Sequence, residues 1–134
     1  MSVIKSKRGD SPVQFVDTAR DLEIHTIRQT SKIQKKYRKY NDMLMELSIN
    51  VYNNVKMANA MYNDTKEKIA RRIAYFDDAI RNLYALISQI DIAKELSMGK
   101  ITDYGWTHWM ELVNKELSLI KSIKLSDKKK AETL

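Results

Sequence analysis

Apolar residues recur along this chain at steps of three and four, the spacing of helices that each bury one face. The first such run follows a helix-start signal. Ser11 can cap, Pro12 suits the first helical position, and Gln14 completes a capping-box spacing. Val13, Phe15, Val16, Ala19, Leu22, Ile24 and Ile27 follow, predicting a first helix over 12–33. Asn41 or Asp42 can cap a second helix, in which Leu44, Leu47, Val51, Val55, Ala58 and Met61 form one stripe. Asn63-Asp64 marks the next turn, with Asp64 and Glu67 cap-like. A third helix keeps Ile69, Ile73, Phe76, Ile80, Leu83, Ile87 and Ile90 on one face and ends at Met98-Gly99-Lys100. Thr102-Asp103 opens a fourth, whose main face carries Trp106, Trp109, Met110, Val113, Leu117 and Ile120.

Four amphipathic helices with short connections predict an all-α fold, an up-down-up-down four-helix bundle. Its expected extent is 11–125, between a basic tail at 1–10 and a charged tail at 126–134. Several helices carry a second apolar strip: Met45, Ile49 and Tyr52; Tyr75, Ala79, Leu86 and Ala93; Leu112, Leu119 and Ile123. A monomeric bundle buries one face per helix, so the extra strips predict a homo-oligomeric interface, the plainer alternative being a wide core face with ordinary exposed apolar residues.

Composition narrows the alternatives. Among 134 residues there are three Gly, one Pro and no Cys. Sandwiches and barrels need far more turn residues, and glycine phosphate loops, disulfide frameworks and cysteine zinc sites are excluded. The Gly and Pro fall mostly at predicted boundaries, but Gly105 lies inside the start of the fourth helix. No stretch of about 18 apolar residues is present, so no membrane span is expected. The N-terminus has no apolar signal region, and a cytoplasmic location is expected.

Charge adds the functional clue. The net charge is +7. Residues 1–8, 32–39 and 121–134 carry +3, +5 and +3, leaving −4 on the rest. The chain is a mildly acidic body with basic segments, which suits an anionic partner. The densest segment interleaves Lys32, Lys35, Lys36, Arg38 and Lys39 with Tyr37 and Tyr40. Cations pair with phosphates and tyrosine rings can stack on unpaired bases, so this run is the leading candidate for binding RNA or DNA. The plainer alternative is a solvated connection whose tyrosines cover the end of the bundle. Arg71 and Arg72, early in the third helix, can extend the basic surface.

Catalytic signals are sparse. His25 and His108 are the two histidines, and neither forms the Glu-x-x-His pairs of di-metal bundles. No metal and no other cofactor are expected. Asp91 lies near the apolar stripe of the third helix and is a candidate buried acid. Arg20 with His25 resembles the Arg-x4–6-His pattern of HEPN ribonucleases, in which the His acts on a ribose 2′-hydroxyl and the Arg stabilises the phosphate. This pattern is short, and it falls in the first helix rather than late in the domain.

A broader resemblance runs over about 12–125. It is carried by the early helix at 15–23, the basic turn Lys35-Lys36-Tyr37-Arg38, the segments 51–60 and 83–93, and the tryptophan-containing last helix. In these the chain resembles the accessory variability determinant (Avd) family of diversity-generating retroelements and the related ribosomal RNA intervening-sequence proteins. The resemblance implies a pentameric barrel of four-helix bundles, a reverse transcriptase partner, and nucleic-acid binding in mutagenic retrohoming. Lys35, Lys36, Arg38, Arg71 and Arg72 would be contact residues by position. Gln34 stands where the family often has Pro, and the glycine-rich ending of Avd proteins is missing. The expectation is a non-enzymatic accessory protein of a reverse transcriptase. The alternatives are a stand-alone RNA-binding bundle like the intervening-sequence proteins, and a HEPN-like ribonuclease.

Overall fold

A computed structural model describes residues 13–134. Helix α1 spans Gln14–Thr30, α2 Arg38–Asn59, α3 Lys66–Leu96 and α4 Asp103–Glu132. A single 3-10 turn, Lys35–Tyr37, precedes α2, and no strand occurs among the described residues. Each helix packs on its sequence neighbours and α4 closes on α1, giving the four-helix bundle. No described helix is long and apolar enough to cross a membrane.

The stripes read from the sequence meet in one core. Phe15 and Leu22 of α1, Leu44, Val51 and Val55 of α2, Phe76, Leu83 and Ile90 of α3, and Trp109, Val113 and Ile120 of α4 are all buried. Each such side chain contributes roughly 1.5–3 kcal/mol by leaving water. Much of each second strip is covered within the single chain, as the wide-core-face reading has it. Ala79, Leu86, Ala93 and Leu112 are buried inside the single chain. Tyr52, Tyr75, Leu119 and Ile123 pack against its core. A helix between two neighbours must be apolar toward both, which widens its stripe without any partner subunit. Only the α2 strip leaves a side chain well exposed, at Ile49.

Helix boundaries follow from local hydrogen bonding. Thr65, one residue after the expected Asp64, caps α3 by accepting from the Lys68 backbone N–H at 3.1 Å. Asp64 instead forms an ion pair with Lys68. Thr102 caps α4, accepting from Gly105 N–H at 3.0 Å. Beyond α3, Met98 and Gly99 take positive φ, 54° and 85°, the left-handed turn expected there. Helix α1 stops at Thr30, three residues short of its expected end. Its expected start signals at Ser11 and Pro12, and the basic tail at 1–10, lie outside the described residues.

Two expectations are corrected here. The charged segment from 126 is no tail, since α4 continues to Glu132. Asp127, only 2% exposed, fixes it there through Arg72. Asp91 is exposed. The buried acid is Glu116, fully enclosed on the core face of α4, with neither carboxyl oxygen hydrogen-bonded. Burial pushes its pKa up to about 9, against a small opposing effect of Lys115. It is therefore a neutral carboxylic acid at pH 7.

Gly105 also finds its reason. A β-carbon there would lie 2.7 Å from Gln29 Oε1. Gln29 is itself buried, and its Oε1 accepts from Lys32 Nζ at 3.2 Å. Gly105 O also accepts from His25 Nε2 at 2.8 Å. The glycine thus lets the start of α4 come close to the end of α1.

Candidate nucleic-acid interface

The antiparallel order puts the α1–α2 and α3–α4 connections at one end of the bundle. Contacts between Tyr40 and Gln89 and between His25 and Gly105 fix that end. The α2–α3 connection and the end of α4 lie at the other, joined through Asn63, Arg72 and Asp127.

At the first end, the basic run is more ordered than a solvated connection. Lys35–Tyr37 makes the 3-10 turn, and Arg38, Lys39 and Tyr40 form the first turn of α2. The expected caps Asn41 and Asp42 therefore lie inside the helix. Lys35, Lys36, Arg38 and Lys39 are exposed, whereas Lys32 is half-buried and donates to Gln29. The α2 start has no side-chain cap and no acid in its first turn. Cations at the positive end of a helix dipole repel it rather than complement it. The positive helix end and four exposed cations together make this end of the bundle electropositive.

The tyrosines do not stand free for stacking. Tyr37 and Tyr40 pack against the core. Tyr40 donates to Gln89 O at 2.9 Å, and burial raises its pKa. Lys36 Nζ lies over the Tyr37 ring at 5.2 Å. This is the plainer reading of the two rings, which close the bundle end and orient the cations around it.

Arg71 and Arg72 belong to the opposite end. Some 17 residues of α3 separate Arg72 from Gln89, where Tyr40 docks, or about 25 Å at 1.5 Å per residue. Arg71 is exposed. Arg72 is not available to a ligand. Its guanidinium meets Asp127 Oδ2 at 2.8 Å and donates to the carbonyls of Ala58 at 3.0 Å and Met61 at 2.7 Å. Its side chain is 11% exposed. Asn63 also donates to Asp127, and Lys130 donates to Asn63. Arg72 is a structural tie between the α2–α3 connection and α4, and its assignment as a contact residue is corrected accordingly. Nothing in the sequence separates it from Arg71 except its partner 55 residues away.

Arg20 and His25 line one groove between α1 and α4, together with Arg28, His108 and Lys115. The two imidazole rings meet edge to face, with centroids 4.8 Å apart. His25 Nε2 donates to Gly105 O, so Nδ1 keeps its lone pair in the neutral ring. Burial, the largest cause, lowers the His25 pKa against the raising effect of its hydrogen bond to Gly105 O, and His108, Lys32 and Arg28 lower it further. Arg20 is exposed with Asp21 at 3.8 Å, and Asp17 and Asp21 share the groove wall. Among the described residues no group of three or more His, Asp or Glu side chains could hold a metal ion.

Set against protein-family models, curated proteins and solved structures, the chain gives no match in any of the three comparisons.

Proposed function

We propose that this chain is a non-enzymatic nucleic-acid-binding bundle, acting as the accessory protein of a reverse transcriptase in a diversity-generating retroelement. One observation carries the binding reading: Lys35, Lys36, Arg38 and Lys39 are exposed around an uncapped, acid-free helix start. A site that concentrates positive charge where a helix would favour negative charge is complemented by phosphates. The reverse transcriptase partner and the pentameric assembly rest on the resemblance to Avd proteins. Exposed Ile49, Tyr84, Ile92 and Leu125 offer apolar area for assembly.

Changing Lys35, Lys36, Arg38 and Lys39 together to Ala tests the binding site. Four lost contacts to a single strand reduce the salt slope by about 3 and affinity by about a hundredfold near 0.15 M salt. An unchanged slope sinks the assignment. A reverse transcriptase gene with template and variable repeats beside this gene supports the accessory role, and their absence favours the stand-alone RNA-binding bundle. Light scattering tests assembly, since a mass near 15.7 kDa is the monomer.

A second reading has an observation of its own. The α1–α4 groove gathers Arg20, a neutral His25 and His108, groups suited to proton transfer and phosphate stabilisation. RNA cleavage without metal that is abolished by His25→Ala establishes a ribonuclease in place of the accessory role.

A further inference from the structure

Beside the exposed cations, the end of α1 and the first two turns of α2 line an open cleft of about 550 Å³, within the size range of small-ligand sites. Its walls differ from the basic rim. Ile27, Ile33 and Met45 supply apolar surface, and Ile27 is 43% exposed toward solvent. Asn41 also lines it, and Asn41 Oδ1 is buried with no hydrogen-bond partner. An amide oxygen without a donor is costly, so a turn of the Asn41 amide that presents it to a donor on a ligand would be favoured.

The order of chemistry along α2 is informative. Arg38, Asn41 and Met45 follow at i, i+3 and i+7 on one stripe and all line the cleft. The stripe runs from a cation, through an amide, to a polarisable thioether over about 10 Å. Lys35 adds a second cation at the rim, and Asp42 is the one acid among the lining residues. A nucleotide has the matching sequence of groups: an anionic phosphate, a ring edge with N–H donors and acceptors, and flat apolar faces. An Asn amide sets an acceptor beside a donor, the pair that bonds an adenine edge bidentately, and Met sulfur packs well against aromatic rings.

Resting on the nucleic-acid reading above, we infer that this cleft accepts one unpaired nucleobase, with its phosphates on Lys35 and Arg38. Asn41 reads the base edge, Met45 and Ile27 cover the ring faces, and Asp42 keeps phosphate off its own side of the rim. The basic end then binds single strands in preference to duplex, because a stacked and paired base cannot enter.

The test uses three fluorescent probes on the full chain: a single-stranded deoxyadenosine 12-mer, an abasic 12-mer of the same charge, and a 12-base-pair duplex. The wild-type protein is expected to bind the deoxyadenosine strand about tenfold more tightly than the abasic strand, the scale of one stacked base. Asn41→Leu should erase that ratio and leave the salt slope unchanged; Ile27→Asp should, separately, erase the ratio as well. The fourfold Lys/Arg variant should weaken all three probes and keep the ratio. Equal wild-type affinity for base-bearing and abasic strands, with a normal salt slope, overturns the pocket and leaves the cationic site standing. Absence of binding to any probe overturns both. If Ile27→Asp instead lowers the solution mass and leaves the ratio intact, the cleft is a contact between copies of this chain, and the inference fails.

Discussion

At one end of the bundle, Lys35, Lys36, Arg38 and Lys39 stand in solvent around the start of α2 with no acid in that first helical turn. At the other, Arg72 is enclosed, paired with Asp127 and bonded to two carbonyls. Both ends read as basic in the sequence, yet their charges have opposite relations to water. Buried charge must be compensated inside the fold, which makes Arg72 part of the architecture. Exposed charge is compensated by solvent and salt, which makes the α2 end available to a ligand. What decides availability is the partner across the bundle, and helical sequence spacing does not report it.

The largest expected effect breaks this contrast at the buried end. Asp127→Ala leaves Arg72 without its counter-charge and should cost about 3–5 kcal/mol in denaturant unfolding. Arg72→Met with Asp127→Leu should recover only part of that loss, because no charge is then stranded but the carbonyls of Ala58 and Met61 and the Asn63 amide lose their partners. The fourfold Lys/Arg variant at the other end should change stability by no more than about 0.5 kcal/mol per site. A small loss for Asp127→Ala would mean that the two ends do not differ in the way described.

Glu116 sharpens the comparison inside the core, where a charge has no partner at all. Below pH about 4.5 the carboxyl is protonated in folded and unfolded chains alike, and its contribution to stability is fully present. Between there and about 9 the unfolded chain loses the proton while the folded chain keeps it. Stability therefore falls as pH rises, by up to about 1.4 kcal/mol per unit. Glu116→Gln removes this titration. Unfolding measured at pH 5 and 8 should show the wild-type chain losing stability relative to the variant. Parallel curves would show that the carboxyl does not stay neutral.

The helices were legible in the sequence because burial imposes a period, and Phe76, Leu83 and Ile90 or Trp109, Val113 and Ile120 obey it. Two caps were nearly as clear, with Thr102 where expected and Thr65 one residue beyond Asp64, whereas the expected Asn41 and Asp42 lie inside α2. Pairings between distant segments were not legible. Asp127 looked like part of a charged tail, since its flanks Lys128, Lys129 and Lys130 are lysines and its partner Arg72 lies in another helix. Glu116 follows the core period, but its residue type argues for solvent, so period and chemistry conflicted. The basic run was visible as composition. Its conversion into a helix start depended on Tyr37 and Tyr40 finding the core.

Gly105→Ala acts at the exposed end, through the brace beneath Lys32. The new β-carbon would meet Gln29 Oε1 at 2.7 Å, and Gln29 is only 4% exposed, so it has little room to turn away. Overpacking of this kind costs about 1–3 kcal/mol. The Gln29–Lys32 bond should be lost with it. Thermal unfolding measures the cost. A neutral result would show that the approach of α4 to α1 is looser than these distances require.

The smallest effect compares two adjacent residues. Arg71→Ala removes an exposed side chain and should change stability by less than about 0.5 kcal/mol, against several kcal/mol for Arg72→Ala. Its effect on binding depends on ligand length. Arg71 lies about 25 Å along α3 from the basic end, and an extended single strand advances about 6–7 Å per nucleotide, roughly twice the duplex rise of about 3.4 Å. A dinucleotide probe held by Lys35 and Arg38 cannot reach it, so its affinity should be unchanged. A twenty-nucleotide probe can, and its salt slope should fall by about 0.7, one phosphate contact. Equal losses for both probes would mean that Arg71 and the α2 start act as one site. The separation of the two ends would then be wrong as a description of binding, even though it holds for folding.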